Sequence, residues 1–117
     1  MTLRGTCRQI DDVAIVDFSG KITLGEGSAT LRQTVRELVG QGQRKILLNL
    51  GDVDYIDSSG IGELVGAYTT VRGASGELKL MQLTKRVKDL IQITRLFTVF
   101  DVQSDEAAAI IAFSAKK

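Results

Sequence analysis

The stretch "VDYIDSSGIGELVGAY", Val53 to Tyr68, decides how the rest of the chain is read. An apolar run gives way to three acids, Asp52, Asp54 and Asp57, then to two serines, Ser58 and Ser59, then to Gly60-x-Gly62. From there Ile61, Leu64, Val65, Tyr68 and Val71 recur at helical spacing, and "RGASGE" ends the helix. Just before it, "RKILLNL", Arg44 to Leu50, is a short apolar run of the kind buried on both faces of a sheet. Paired hydroxyls and small glycines therefore stand where a strand becomes a helix.

Working outward, the same alternation repeats. "VAIVDFSG", Val13 to Gly20, reads as a strand, preceded by a weaker strand "LRGTCRQI" with Asp11 and Asp12 as the hairpin turn. Leu31, Val35, Leu38 and Val39 lie on one helical face between Glu26 and the stop signals Gly40 and Gly42. "ELKLMQL", Glu77 to Leu83, is a strand, and Thr84 is placed to cap a helix carrying Val87, Leu90 and Ile91 inward. "FTVFDV", Phe97 to Val102, reads as a short strand. Ser104, Asp105 and Glu106 then open a last helix with Ala107, Ile110 and Ile111 inward. The order β-β-α-β-α-β-α-β-α predicts an α/β domain spanning 1–117. Its sheet is mixed but mostly parallel, with an N-terminal hairpin strand and about four covering helices. Sites in such sheets gather at the carboxyl ends of strands, where Ser58 and Ser59 fall.

Composition removes several classes of function. The 117 residues carry a net charge of +1 and no basic stripe, and only 5% are aromatic, so no nucleic-acid partner is expected. No apolar run reaches the length of a membrane span, and "MTLRGTCRQ" has no apolar signal core; a cytoplasmic protein with no membrane partner is the expectation. With no histidine, neither a Ser-His-Asp nor a Cys-His relay can be built, and with one cysteine, Cys7, neither a zinc site nor an internal disulfide is expected. No cofactor is called for.

The Ser58 region has several chemical readings. It resembles a nucleophile elbow in placement, yet Gly-x-Ser-x-Gly is absent and no histidine base exists. No Gly-Lys-Ser/Thr follows the glycines, which excludes a P-loop, and Gly66 falls one residue late for a dinucleotide fingerprint. A plain helix cap by Ser58 or Ser59 accounts for the hydroxyls at about 1 kcal/mol. Asp52, Asp54 and Asp57 could gather magnesium in support of an aspartyl phosphate on Asp57. Phosphorylation of a serine by another protein fits the physics better: the first turn of a helix tolerates a phosphate, whose roughly −2 charge would confront a docked partner.

"Y-I-D-S-S-G-I-G-E-L-V" after "I-L-L-N-L-G-D-V" closely resembles the STAS family, specifically the bacterial anti-sigma factor antagonists. Supporting segments are "V-D-F-S-G" at Val16–Gly20, "L-L-N-L" at Leu47–Leu50 and "R-L-F-T-V-F" at Arg95–Phe100. The resemblance implies a non-catalytic protein that binds an anti-sigma factor with serine kinase activity, lets go when a serine is phosphorylated, and is reset by a serine phosphatase. It implies Ser58 as the acceptor, with Asp57, Ser59, Gly60 and Gly62 around it; Ser59 suits a cap or packing role, and the glycines keep the approach open. Many members carry G-E-[LI]-D in the loop that contacts the partner. Here that loop reads G-K-I-T, so Lys21 and Thr23 stand at the expected contact positions. A STAS scaffold in another phospho-signalling module, or a receiver using Asp57, is the alternative reading.

Overall fold

A computed structural model describes residues 3–115. Branched apolar residues build the strands β1 (Leu3–Ile10), β2 (Val13–Ile22), β3 (Lys45–Ile56), β4 (Glu77–Met81) and β5 (Asp101–Gln103). They form one sheet in the order β1-β2-β3-β4-β5, with β1 antiparallel to β2 and every other pair parallel. The β1–β2 hairpin turns at Asp11, whose φ of 53° is the left-handed value that Asp tolerates. Each parallel step is made by a helix: α1 (Glu26–Gly40), α2 (Ser58–Gly73) and α3 (Lys85–Ile93), with α4 (Glu106–Ala115) closing the chain.

The helices divide unequally over the sheet. Leu31, Val35 and Leu38 of α1, Ile61, Leu64 and Val71 of α2, and Val87 and Ile91 of α3 pack with Val16, Phe18, Ile46, Leu48 and Leu80 in the main core. The other face carries a smaller core, in which Ala109 and Phe113 of α4 cover Val13, Ile15, Leu47 and Met81. Lys79, buried on that face, pairs with Asp101 and lies 5.0 Å above the Phe113 ring. Across the main face, Arg32 of α1 donates to Glu63 of α2 at 2.8 Å, which fixes the two helices that flank Ser58.

Four expectations are corrected. β3 continues past Leu50 to Ile56, because the extended end of β2 pairs Ser19–Ile22 alongside Asp52–Ile56 after a bulge; Asp52 and Asp54 face solvent while Val53 and Ile56 are buried. Beyond Asn49 the strand has no β4 partner, and α3 covers it instead, with the Thr84 hydroxyl donating to the Val53 carbonyl. Of the Phe97–Val102 segment only Asp101 and Val102 are strand, in β5; Leu96–Thr98 is a 3-10 turn, and Phe100 packs edge-on against Tyr68 at 5.9 Å. Asp105, not Ser104, accepts the Ala108 N–H at the start of α4. That helix turns Ala109 and Phe113 inward, leaving Ala107 exposed and Ile111 66% exposed.

The α2 start is seated by a glycine. A Cβ on Gly60 would overlap the Ile22 carbonyl oxygen and the Ile56 side chain, whereas a Cβ on Gly62 meets nothing. Gly60→Ala is therefore expected to cost roughly 1–3 kcal/mol, since backbone must shift to admit the methyl. Gly62→Ala should stabilise by up to about 1 kcal/mol through helix propensity alone. Denaturant melts of the two variants test this; equal midpoints would show that Gly60 has room.

Candidate functional site

Asp57 organises the residues singled out in the sequence. As N-cap of α2 it has an extended backbone, φ −108° and ψ −176°, and its Oδ1 accepts the Gly60 N–H at 2.8 Å. Its Oδ2 accepts the Leu24 N–H at 3.3 Å, which reaches the loop between β2 and α1. Its own N–H donates to the Ile22 carbonyl at 3.3 Å. One residue thus joins the end of β3, the first turn of α2 and the end of β2. The cap is Asp57, so the reading in which Ser58 or Ser59 caps the helix is corrected. A carboxylate has the stronger claim, since its charge also complements the positive end of the helix dipole.

With the cap supplied by its neighbour, Ser58 stands exposed at the first position of α2, and Ser59 is half-buried behind it. The helix start leaves the Ser58 and Ser59 N–H groups without intrahelical partners, as at any helix N-terminus. Gly62, within the same first turns, is exposed with open space over it. Gly60 is buried, and its smallness is accounted for by the β2 backbone beneath it.

The β2–α1 loop forms the near wall. The Thr23 carbonyl accepts both the N–H and the hydroxyl of Ser28, at 3.0 and 2.9 Å. Gly25 takes φ +97°, a value that favours glycine, and turns the chain into α1. Held on both sides, Leu24 is nevertheless 79% exposed. Lys21 pairs with Asp54 at 3.1 Å and sits 5.8 Å from the Tyr55 ring centroid. The far wall is α3, whose Arg86 guanidinium lies 4.1 Å above the same ring. Lys21, Thr23, Asp57, Ser58, Ser59 and Gly62 are therefore brought to one end of the sheet, while Gly60 faces inward. Leu24, Tyr55 and Arg86 join them, and sequence reasoning misses all three. The stack of Arg86 on Tyr55 joins residues far apart in the chain and leaves no local pattern. Leu24, a lone apolar residue between Thr23 and Gly25, offers the better signal.

The geometry limits the chemistry. Both Asp57 oxygens are engaged by backbone N–H groups and Asp54 is engaged by Lys21, which leaves neither acid poised as a phosphate acceptor. Among the described residues, no three Asp, Glu, Cys or His side chains lie together as a metal site. Cys7 is distant, on edge strand β1, and burial first, then Glu37 and Asp17, push its thiol pKa up, away from a reactive thiolate. What remains at this end of the sheet is an exposed surface on which Ser58 stands at the start of α2.

The STAS domain model matches residues 6–109. The chain is 32% identical over 111 residues to BtrV of Bordetella bronchiseptica, covering 92% of each protein. It is 31% identical over 104 residues to the anti-sigma-B factor antagonist of Bacillus subtilis, covering 89% of this chain and 94% of that one. The crystal structure of an anti-sigma factor antagonist from Mycobacterium paratuberculosis superposes with a TM-score of 0.83 at 20% identity, covering 94% and 92% of the two chains.

Asp57→Ala removes an N-cap and a loop tether together, and is expected to destabilise by about 1–2 kcal/mol. Asp57→Asn keeps a side-chain oxygen for the Gly60 N–H and should lose less. Amide hydrogen exchange separates the two roles: Leu24 and Gly60 should both exchange faster in Asp57→Ala. Unchanged protection at Leu24 would show that the tether does not hold the loop.

Proposed function

This chain belongs to the STAS domain family, and from that premise we propose that it is an anti-sigma factor antagonist switched off by phosphorylation of Ser58. In this reading it binds an anti-sigma factor with serine kinase activity through the end of the sheet that carries Ser58. The bound kinase transfers a phosphoryl group to the Ser58 hydroxyl, the complex parts, and a serine phosphatase restores the binding form. The relatives named as antagonists support the partner class.

The observation that carries the switch is the division of labour at the start of α2. Asp57 holds the helix, so the Ser58 hydroxyl has no structural bond to give up and stands in solvent. A phosphate there lies at the positive end of a helix and beside free N–H groups, an environment that accepts an anion. Its charge would confront any partner docked over the exposed start of α2. The fold should tolerate the modification while the interface does not. Near Ser58, Gly62 offers clearance to an approaching backbone, and Leu24, whose N–H Asp57 holds, offers an exposed apolar side chain.

Disrupting a buried polar pairing at an interface costs about 2–5 kcal/mol. At about 1.4 kcal/mol per tenfold, that is roughly 30- to 4000-fold in affinity. Ser58→Asp should therefore bind the anti-sigma factor far more weakly while melting within a few degrees of the parent. Ser58→Ala should bind and accept no phosphate; Ser59→Ala should still accept it. Titration calorimetry and phosphopeptide mapping read the outcomes. Phosphate incorporated into Ser58→Ala at the parental level would overturn the site. Gly62→Leu should weaken binding more than folding, and unchanged affinity would remove Gly62 from the interface.

A further inference from the structure

We propose that Arg86, stacked on Tyr55 beside Ser58, reads a carboxylate on the partner protein, which makes α3 a second wall of the interface; this rests on the antagonist reading. The guanidinium sits 4.1 Å from the Tyr55 ring centroid. Lys21 approaches the same ring at 5.8 Å. Tyr55 is half-buried near the end of β3, shortly before Ser58, so the ring is a fixed platform and the stack fixes the arginine.

What sets Arg86 apart is that it is held without being neutralised. Its neighbours Lys21 and Lys85 are neutralised by acids, Lys21 by Asp54 and Lys85 by Asp89, and Lys88 on the same helix has neither an acid nor a ring to hold it among the described residues. Elsewhere Arg8, Arg32, Lys45 and Lys79 are paired with acids. Arg86 makes no ion pair or hydrogen bond among the described residues, and its contact is the ring. A guanidinium gripped by its face keeps its in-plane N–H donors free, in the fork geometry that matches a carboxylate. Arginine and tyrosine that are already ordered lose little freedom on binding, which is the pattern of an interface anchor.

The surroundings indicate the occupant. Lys85, Arg86, Asp89, Leu90 and Ile93 line a shallow groove on α3, and Ile93 is 77% exposed. A carboxylate for Arg86 next to an apolar side chain over Leu90 and Ile93 describes a protein surface. A polyanion such as a nucleic acid or an anionic membrane would need several unpaired cations together, whereas Lys21 and Lys85 are already paired with acids. Arg86 is tied to Tyr55, which lies near the end of β3 just before Ser58, so one partner can cover both.

The test measures association and dissociation of the full chain with the ATP-binding anti-sigma factor isolated from its native cell, at two salt concentrations. Arg86→Glu should slow association by roughly tenfold or more and flatten its salt dependence. Arg86→Lys keeps the charge but not the fork, and should dissociate faster than the parent by roughly three- to tenfold. Tyr55→Leu, which frees the arginine, should resemble Arg86→Lys. If Arg86→Glu and Tyr55→Leu both stay within about twofold of the parent while Ser58→Asp loses binding, the α3 wall is wrong and the antagonist reading stands. If the parent binds no anti-sigma factor, the antagonist reading fails instead, and acetate titration followed by NMR decides on the arginine. The Arg86 Nε–H signal should then shift more than that of Arg36, and less in Tyr55→Leu; equal shifts would overturn the carboxylate site.

Discussion

The carboxylate of Asp57 does two tasks at once, and the geometry of the whole site follows from it. One oxygen closes the first turn of α2 on the Gly60 N–H, and the other holds the Leu24 N–H of a loop that belongs to a different crossover. Without that bridge, the end of β3, the start of α2 and the β2–α1 loop would be three segments meeting at a sheet edge. With it they form one surface. The bridge also frees Ser58, because a helix start needs a cap and Asp57 provides it. Gly60 completes the arrangement by letting α2 seat against the β2 backbone, where any side chain would collide with Ile22.

A serine freed in this way can carry a charge without carrying the fold. The stability of the domain resides in the two cores on either side of the sheet, not in the hydroxyl. A helix N-terminus favours an anion by only about 0.3–1 kcal/mol when exposed, so the modification should shift stability little. A partner pressed against the same spot must desolvate or displace the phosphate, which costs more, about 2–5 kcal/mol. The separation of these two magnitudes would permit a small domain to act as a switch with no moving part.

Much of this is legible in the sequence, and the rest is hidden for identifiable reasons. The alternation of strands and helices, the Asp11–Asp12 turn and the Thr84 cap follow from local periodicity and turn chemistry, and they are present. The end of β3 is not legible because Gly51, Asp52 and Asp54 look like a loop when taken alone; pairing with the bulged end of β2 makes them strand. The cap points to a hydroxyl only while Asp57 is grouped with the acids before it rather than taken as the residue that begins the helix. The phase of α4 is set by which residues meet Leu47 and Met81, a tertiary fact, so Ile111 looks internal in the sequence and lies outside. Arg86 is invisible because a cation above a ring is a contact between distant segments. The strand-to-helix junction at Asp57 and Ser58 is the most readable part, since it depends on neighbours in the chain.

A phosphate on Ser58 should break the interface and spare the fold. The direct measurement compares the full chain carrying phosphoserine at position 58 with the unmodified chain, by dissociation constant for the ATP-binding anti-sigma factor and by thermal melt. Affinity should fall by roughly 30-fold or more while the melting temperatures stay within a few degrees. Equal affinities, or a phosphorylated chain that loses binding only because it unfolds, would contradict it.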